Sequence, residues 1–344
     1  MPKSSTLLTL SVLALTAAVA VSWKMGNLSI CGGASKECKA SEEPKNSAFV
    51  FVKPHANTEA TQNLVRNKLT QAGIAILSEC DVSGETIDEK KLIDQHYYAI
   101  ASKATILPAS EIPVPAAKFE EAFGEKWETA LSENRACNAM DACKEFGCDA
   151  AELNEAWGKA QVVKFGGGFY CGLVSKNDKK LYVFNAFFMS MRSKFVGAGT
   201  SIHCYEVEWN PATLSWEDFR GKLLGPTDPA DGPEGSIRKT ILETWESLGL
   251  KDVPDKGDNG VHASASPFEG LAEKTNWLGA SISEDAFGKA LLDAGFTEEI
   301  IKAWCVDPRV TLPGDQGQGS VFDALEDMNV DECLKKLVEL NSIN

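Results

Sequence analysis

A chain of 344 residues with 44% hydrophobic and 24% charged side chains can bury a sizeable core, which excludes a disordered, collagen-like or multi-span membrane protein. Its 34 basic against 49 acidic side chains give a formal net charge of −15. That balance argues against a basic face for a nucleic-acid backbone, but the few local cations needed by a phosphorylated small molecule remain available.

Residues 1–20 read as a secretory signal peptide: Lys3 precedes an uncharged run over residues 7–21, and Ala18-Val19-Ala20 meets the small-residue cleavage rule. The expected location is the secretory pathway or the extracellular space. A plastid leader and an uncleaved membrane anchor are the alternatives, the anchor because about 15 apolar residues approach the ~20 of a bilayer span. Residues 21–47, rich in Gly, Ser, Lys and Glu, form a linker that includes the glycosylation sequon Asn27-Leu28-Ser29. Order begins at Ala48 with a buried strand over residues 48–52, ending at Lys53-Pro54. A helix over about 59–72, closed by Gly73, a strand over 74–77 and a helix over 88–100 follow. A Pro-rich bridge then opens a helical insertion over about 104–185, with helical segments at 119–131 and 136–157. The triple glycine at 166–168 reads as a turn between an inserted helix and a strand. Strands at 181–184 and 202–209, helices near 216–224 and over 236–248, and a short strand at 260–263 come next. Ser266-Pro267-Phe268-Glu269 reads as a capping box that opens another helix. Residues 281–344 form a C-terminal helical extension.

The ten cysteines show no CxxC or finger-like spacing, which argues against a zinc site. Cys137, Cys143 and Cys148 lie close together and read either as buried thiols or as partners in an oxidising lumen. No GxxxxGK[ST], HExxH or GxSxG element occurs, and the glycine run at 166–168 lacks the dinucleotide spacing. What remains are isolated polar groups at element ends: Lys53 after the first strand, Thr227 and Arg238 around a Gly/Pro loop, and the segment from Asn259 to Ser264 that contains His262.

Together these groups resemble the nucleoside diphosphate kinase family. Phe51-Val52-Lys53-Pro54 is similar to its opening strand and Lys-Pro, and Gln95-His96-Tyr97 to its Glu-His-Tyr. Leu224-Gly225-Pro226-Thr227, followed by Gly235-Ser236-Ile237-Arg238, resembles its LGxTxPA…GTIR run with the same Thr-to-Arg spacing. The run from Asn259 to Ser266 resembles the active-site NxxHGSDS, and Glu273 stands eleven residues beyond His262. The resemblance covers about 48–103 and 186–278.

It implies an α+β sandwich, a ferredoxin-like βαββαβ four-stranded antiparallel sheet, here with the helical insertion and the C-terminal helical extension. The kinase-like domain would be 48–280, with insertions at about 104–185 and 239–257. The implied activity is ping-pong transfer of the γ-phosphate from a nucleoside triphosphate such as ATP to a nucleoside diphosphate through phospho-His262. Glu273 and Ser264 would orient the ring, and Lys53, Tyr97, Arg220, Thr227 and Arg238 would hold phosphates. Asn259 would reach the ribose and Phe187 would stack on the base, with Phe169 as the rival ring. Magnesium (Mg2+) would arrive bound mainly to the nucleotide phosphates. The family further implies a homo-oligomer, the acidic balance leaves no nucleic-acid partner expected, and membrane contact is expected only for an uncleaved N-terminus. The chain departs from the pattern at three places. The phosphate-binding Arg falls on Gly221, between Arg220 and Lys222; the Asp-Gly after Lys-Pro is His55-Ala56; and HGSDS is HASAS, with Ala263 after the histidine. The competing class is a nucleotide-binding or assembly module that keeps the fold but transfers phosphate poorly.

Overall fold

The apolar run that follows the linker is a strand, β1 (Asn46–Val52), and its two-residue period divides the fold into two layers. Ala48, Val50 and Val52 face one core, shared with Val65 and Leu69 of the helix Glu59–Gln71 and Ile241 of the helix Ile237–Thr244. Phe49 and Phe51 face the other, shared with Ile93 of the helix Leu92–His96 and Trp277 of the helix Pro267–Leu278. The computed structural model describes residues 44–314 and 316–344; the expected signal peptide and most of the linker lie outside the described residues.

The later strands are β2 (Ala75–Ser83), four that belong to the insertion, β3 (Ala136–Asn138), β4 (Gln161–Gly166), β5 (Phe169–Lys176) and β6 (Lys179–Phe184), then β7 (Ser201–Trp209) and β8 (Val261–Ala263). The main sheet has the order β2-β7-β1-β8, with every neighbouring pair antiparallel. The first and last strands of this sheet are thus neighbours, which sets the loop after β1 beside the residues of β8.

The expected helical insertion is corrected by the structure. Its helices Ala116–Phe123, Trp127–Ser132, Ala139–Phe146 and Ala150–Gly158 pack with a second four-stranded sheet, β3-β6-β5-β4. The triple glycine is the turn of the β4–β5 hairpin, and Gly168 takes φ +61°. Asn177-Asp178, at φ 51° and 59°, turns β5 into β6 as a two-residue hairpin loop does. The helix expected over 88–100 is also corrected. It breaks into Gly84–Glu89, Leu92–His96 and Tyr98–Ala101, at Lys91 with its left-handed φ of 57° and at Tyr97 with ψ 39°. Beyond the main sheet the extension is helical except for a hairpin of β9 (Arg309–Thr311) and β10 (Gln318–Ser320).

The extension is tied to the main sheet by asparagines. Asn46 Nδ2 donates to Asn329 Oδ1 at 2.9 Å, Val330 N–H donates back to Asn46 Oδ1 at 2.9 Å, and Trp216 N–H donates to Asn329 Oδ1 at 2.9 Å. Trp216 is fully buried against Trp209 and Phe219, and its Nε1–H donates to Ser264 O at 3.2 Å. Trp216→Ala removes this filler from beneath the His262 strand. It is expected to cost about 3–5 kcal/mol of stability, checked by urea unfolding of the full chain.

Candidate active site

Strand β8 is three residues long, and His262 at its centre pairs with Phe51. The chain enters β8 through Gly260 at φ +88°, where an added Cβ would lie 2.9 Å from Ile241 Cδ1, so this position requires glycine. Gly260 O accepts Lys53 N–H at 2.8 Å, and Gly260 N–H donates to His55 Nε2 at 3.1 Å. These two bonds place the Lys53 loop beside β8. At the end of the strand, the Ala263 methyl is taken up by the core. Ser266 then accepts the Glu269 N–H, with Pro267 in the first turn, and launches the helix that bears Glu273. This is half of the expected capping box, because the Glu269 carboxyl bonds instead to the Ala265 backbone and to Glu273.

Glu273 Oε1 lies 2.6 Å from His262 Nε2, and Ser264 Oγ–H donates to Glu273 Oε2 at 2.6 Å. Ser264 Oγ in turn accepts Phe49 N–H at 2.9 Å, which anchors the hydroxyl to β1. The Phe51 ring stacks on the imidazole, with centroids 4.8 Å apart and planes at 28°. His262 is therefore held by a ring face and by one nitrogen, while no described residue hydrogen-bonds to Nδ1. Burial holds its basicity well below the ordinary histidine range, helped by the nearby charges of Lys53, Arg238 and Arg220. Burial likewise pushes Glu273 up to about 8 and Glu269 well above the carboxylate range, the latter further raised by Glu273. The two carboxyls share a hydrogen bond in which Glu269 donates, and that bond draws Glu273 back down against the pull of burial.

Sequence reasoning passed over Glu269 and gave His96 no role, although the Gln95-His96-Tyr97 match already pointed at it. His96 stands edge-on to His262, with centroids 4.7 Å apart. Its Nδ1 accepts the Trp277 Nε1–H at 3.3 Å and also lies 3.3 Å from Glu273 Oε1. His96, His262 and Glu273 form a two-histidine, one-carboxylate set whose donor atoms lie within 4.8 Å of one another. The spacing suits a proton better than a metal. Ligands of a tetrahedral zinc ion with ~2.05 Å bonds are about 3.3 Å apart, whereas the His262–Glu273 contact is 2.6 Å.

The cations approach from the other side. Lys53 Nζ donates to Gly257 O at 3.3 Å, and burial, reinforced by Arg238, lowers its pKa to about 8. Arg238 is buried; its Nε and Nη2 donate to Val261 O at 3.0 and 2.9 Å and its Nη1 to Gly225 O at 2.9 Å. It thereby clips the Gly225 loop to β8, and burial brings its pKa down to about 10. Asn259 Nδ2 braces the same loop through Thr227 O at 2.9 Å, its buried Oδ1 finding no partner among the described residues, while Thr227 itself is exposed.

The residues around Gly221 form a wide π-type turn, Phe219–Leu224. Such a turn holds one residue more than an α-turn. Gly221 and Lys222 lie on the surface, Lys222 paired with Asp218 at 2.8 Å, whereas Arg220 lies close enough to act on the charge of His262, Glu269 and Glu273. Arg220 is the neighbour of Gly221 that reaches the site. It is engaged by the C-terminal extension, Nη1 donating to Glu326 Oε1 at 2.6 Å and to Asp327 Oδ1 at 2.7 Å. Asp327 N–H also donates to Ala265 O at 2.9 Å, so the extension touches the loop just past His262.

Two cavities meet at Tyr97, whose buried hydroxyl is pushed up to about 12. One, of about 460 Å³, is walled by His96, His262, Glu273 and the extension residues Lys302, Asp307 and Glu326. The other, of about 310 Å³, is walled by Lys53, His55, Phe187, Lys194 and Asp258. Phe187 is set edge-on to Tyr170 in that second cavity, whereas Phe169 is buried in the core of the insertion. Of the expected site residues, His262 and Glu273 line the first cavity, Lys53 and Phe187 the second and Tyr97 both, while Ser264 is buried behind Glu273, and Arg220, Thr227, Arg238 and Asn259 line neither.

No protein-family model and no curated protein matches the chain. Solved structures similar to it include a nucleoside diphosphate kinase from Encephalitozoon cuniculi, 13% identical over 68% of this chain and 90% of that one, with a TM-score of 0.33. A nucleoside diphosphate kinase from Aquifex aeolicus is 15% identical over 68% and 94%, with a TM-score of 0.34. An NDP kinase from Pyrobaculum aerophilum is 17% identical over 68% and 96%, with a TM-score of 0.33. Among the described residues, no helix is long and apolar enough to cross a membrane.

Proposed function

We propose that this chain is a nucleoside diphosphate kinase-like phosphotransferase that carries the γ-phosphate on His262. The observation that carries the reading is the hold on one ring nitrogen. Glu273 takes His262 Nε2 at 2.6 Å, so the tautomer with the proton on Nε2 leaves a lone pair on Nδ1. A neutral imidazole attacks phosphorus without prior proton removal, and burial among three cations keeps this one neutral at physiological pH. As the phosphoryl group arrives, the ring becomes electron-poor, and the Nε2–H bond to Glu273 strengthens. Glu269 and Ser264 hold that carboxylate in place.

The transition state of phosphoryl transfer is loose and spreads its charge over peripheral oxygens, so fixed cations supply most of the help. In this reading Lys53 and Arg220 meet the phosphates, and Arg238 fixes the loop that presents Thr227. The base lies on Phe187 in the smaller cavity, and Asn259 Oδ1 is an acceptor for a sugar hydroxyl. Magnesium fits this arrangement as a passenger of the nucleotide. The acids nearest Lys53 are engaged elsewhere, Asp258 by Lys194 at 2.7 Å and Asp255 by the Gly257 and Asp258 N–H groups at 2.8 Å. The ion supplies charge neutralisation at the phosphates. The strand order β2-β7-β1-β8 supports the ferredoxin-like sandwich, and the same reading keeps the secretory or extracellular location and a homo-oligomer as expectations.

One observation favours the weaker alternative, a nucleotide-binding module. Arg220 is occupied by Glu326 and Asp327, which compete with phosphate for the same guanidinium. Glu326→Gln with Asp327→Asn is therefore expected to speed phosphoryl transfer several-fold in stopped assays, at a stability cost of no more than about 1 kcal/mol, because these ion pairs are part-exposed. The proposal itself is tested with residues 21–344, γ-labelled ATP and magnesium. Acid-labile, base-stable label that discharges to added GDP supports the kinase. A folded protein that binds ATP and takes no label supports the module.

A further inference from the structure

The cross-strand row that carries His262 ends in two cysteines. The register pairs Cys80 of β2 with Cys204 of β7, Cys204 with Phe51 of β1, and Phe51 with His262 of β8. Directly opposed residues of an antiparallel pair share a face, with Cα atoms about 4.5–5.5 Å apart. That spacing falls inside the ~4.4–6.8 Å spanned by disulfides. The two thiols act on one another, Cys204 favouring the thiolate of Cys80 and Cys80 disfavouring that of Cys204. Their surroundings differ in the way an exchange reaction requires: Cys80 lies exposed on the edge strand, and Cys204 is 1% exposed behind it.

We infer that Cys80 and Cys204 form a thiol–disulfide exchange site whose substrate is a low-molecular-weight disulfide of the glutathione class. The Cys80 thiolate attacks one sulfur of that disulfide, forming a mixed disulfide and releasing one small thiolate. The Cys204 thiolate, its proton passed to the released thiolate, attacks Cys80 Sγ, forms the Cys80–Cys204 bond and expels the second small thiolate, which takes up the proton left by Cys80. The dithiol is oxidised by two electrons and the small disulfide is reduced to two thiols, so the exchange balances.

The electrostatics are consistent with those roles. The hydrogen bond from Cys204 brings the Cys80 thiol down to about 7, against the upward pull of burial, so much of it is thiolate at neutral pH. The same bond is the largest cause of the raised pKa of Cys204, and it disappears when Cys80 is capped. Capping the first thiol thus removes the largest upward cause on the second and leaves burial as the main one. Cys143 and Cys148 also share a hydrogen bond, but burial pushes both of those thiols upward.

The test equilibrates the full chain in mixtures of reduced and oxidised glutathione, blocks free thiols with a maleimide and maps the peptides by mass spectrometry. The expected result is loss of two reactive thiols per chain and one peptide pair joined through Cys80 and Cys204. Cys204→Ser is expected to stop at a stable glutathionyl adduct on Cys80, and Cys80→Ser to give neither product. Wild-type protein that keeps a glutathionyl group on Cys80 without forming the joined peptide, or that closes another pair while Cys80 and Cys204 stay alkylated, would overturn the inference. The wild-type map decides by itself, so a variant that misfolds does not leave the question open.

Discussion

Replacing His262 by Ala is expected to abolish the phosphoenzyme and to lower nucleotide-to-nucleotide transfer by at least about 10³-fold, the scale seen when a covalent nucleophile is removed. The fold should survive the change. The ring is on the cavity wall, and the Glu273 carboxyl it leaves behind keeps Ser264 and Glu269 as partners. A near-normal urea midpoint with no label separates this outcome from unfolding. Binding of ATP is expected to persist, because the cations of the other cavity are untouched.

The second large effect belongs to Lys53, and here function and stability move in opposite directions. In the proposed reading Lys53→Met removes a half-buried positive charge from beside the phosphates, and it is expected to lower transfer by about 10²–10³-fold. Burial lowers the folded pKa of this lysine from 10.5 to about 8. Below pH 8 the ammonium is charged in both the folded and unfolded chain, so the whole cost of burying it is present. Between about pH 8 and 10.5 the unfolded chain binds more protons than the folded one, and stability rises with pH as that cost is relieved. The variant has no such cost, so it should be more stable than the parent at pH 7, by about 1–2 kcal/mol once solvent screening is allowed for. It should also lack the rise above pH 8. Urea unfolding at pH 7 and pH 9.5 measures both differences. In the parent, transfer should fall as pH rises through about 8 and Lys53 loses its charge.

The parts of this fold that could be read along the chain are those whose pattern is local. β1 announced itself through five consecutive apolar residues, the helix after it through its spacing and Gly73, and the loop from Asn259 to Ser264 through its order of residue types. One strand of the second sheet, at 181–184, was legible, but the sheet as a whole was missed because Gln161–Gly166 mixes charge with valine and glycine and so carries no clean alternation, although Asn177-Asp178 is a hairpin signal of the ordinary kind. Contacts between distant positions were beyond a reading by pattern. Nothing near Arg220 indicates that residues 326 and 327 will hold it, and nothing near Glu273 indicates that Glu269 turns back to hydrogen-bond to it. The choice of Arg220 over Lys222 likewise depends on one wide turn, and a turn of that kind has no dependable signature in residue type.

The geometry makes a commitment about which ring nitrogen reacts. In the proposed reading Glu273 occupies Nε2, which leaves Nδ1 for the phosphoryl group. The decisive measurement is to phosphorylate the full chain with ATP, digest it under alkaline conditions and locate the phosphoryl group by ³¹P–¹H correlation on the isolated peptide. The account predicts phosphate on Nδ1 of His262. Phosphate on Nε2 of that ring, or on another residue of a folded and fully active protein, would contradict it.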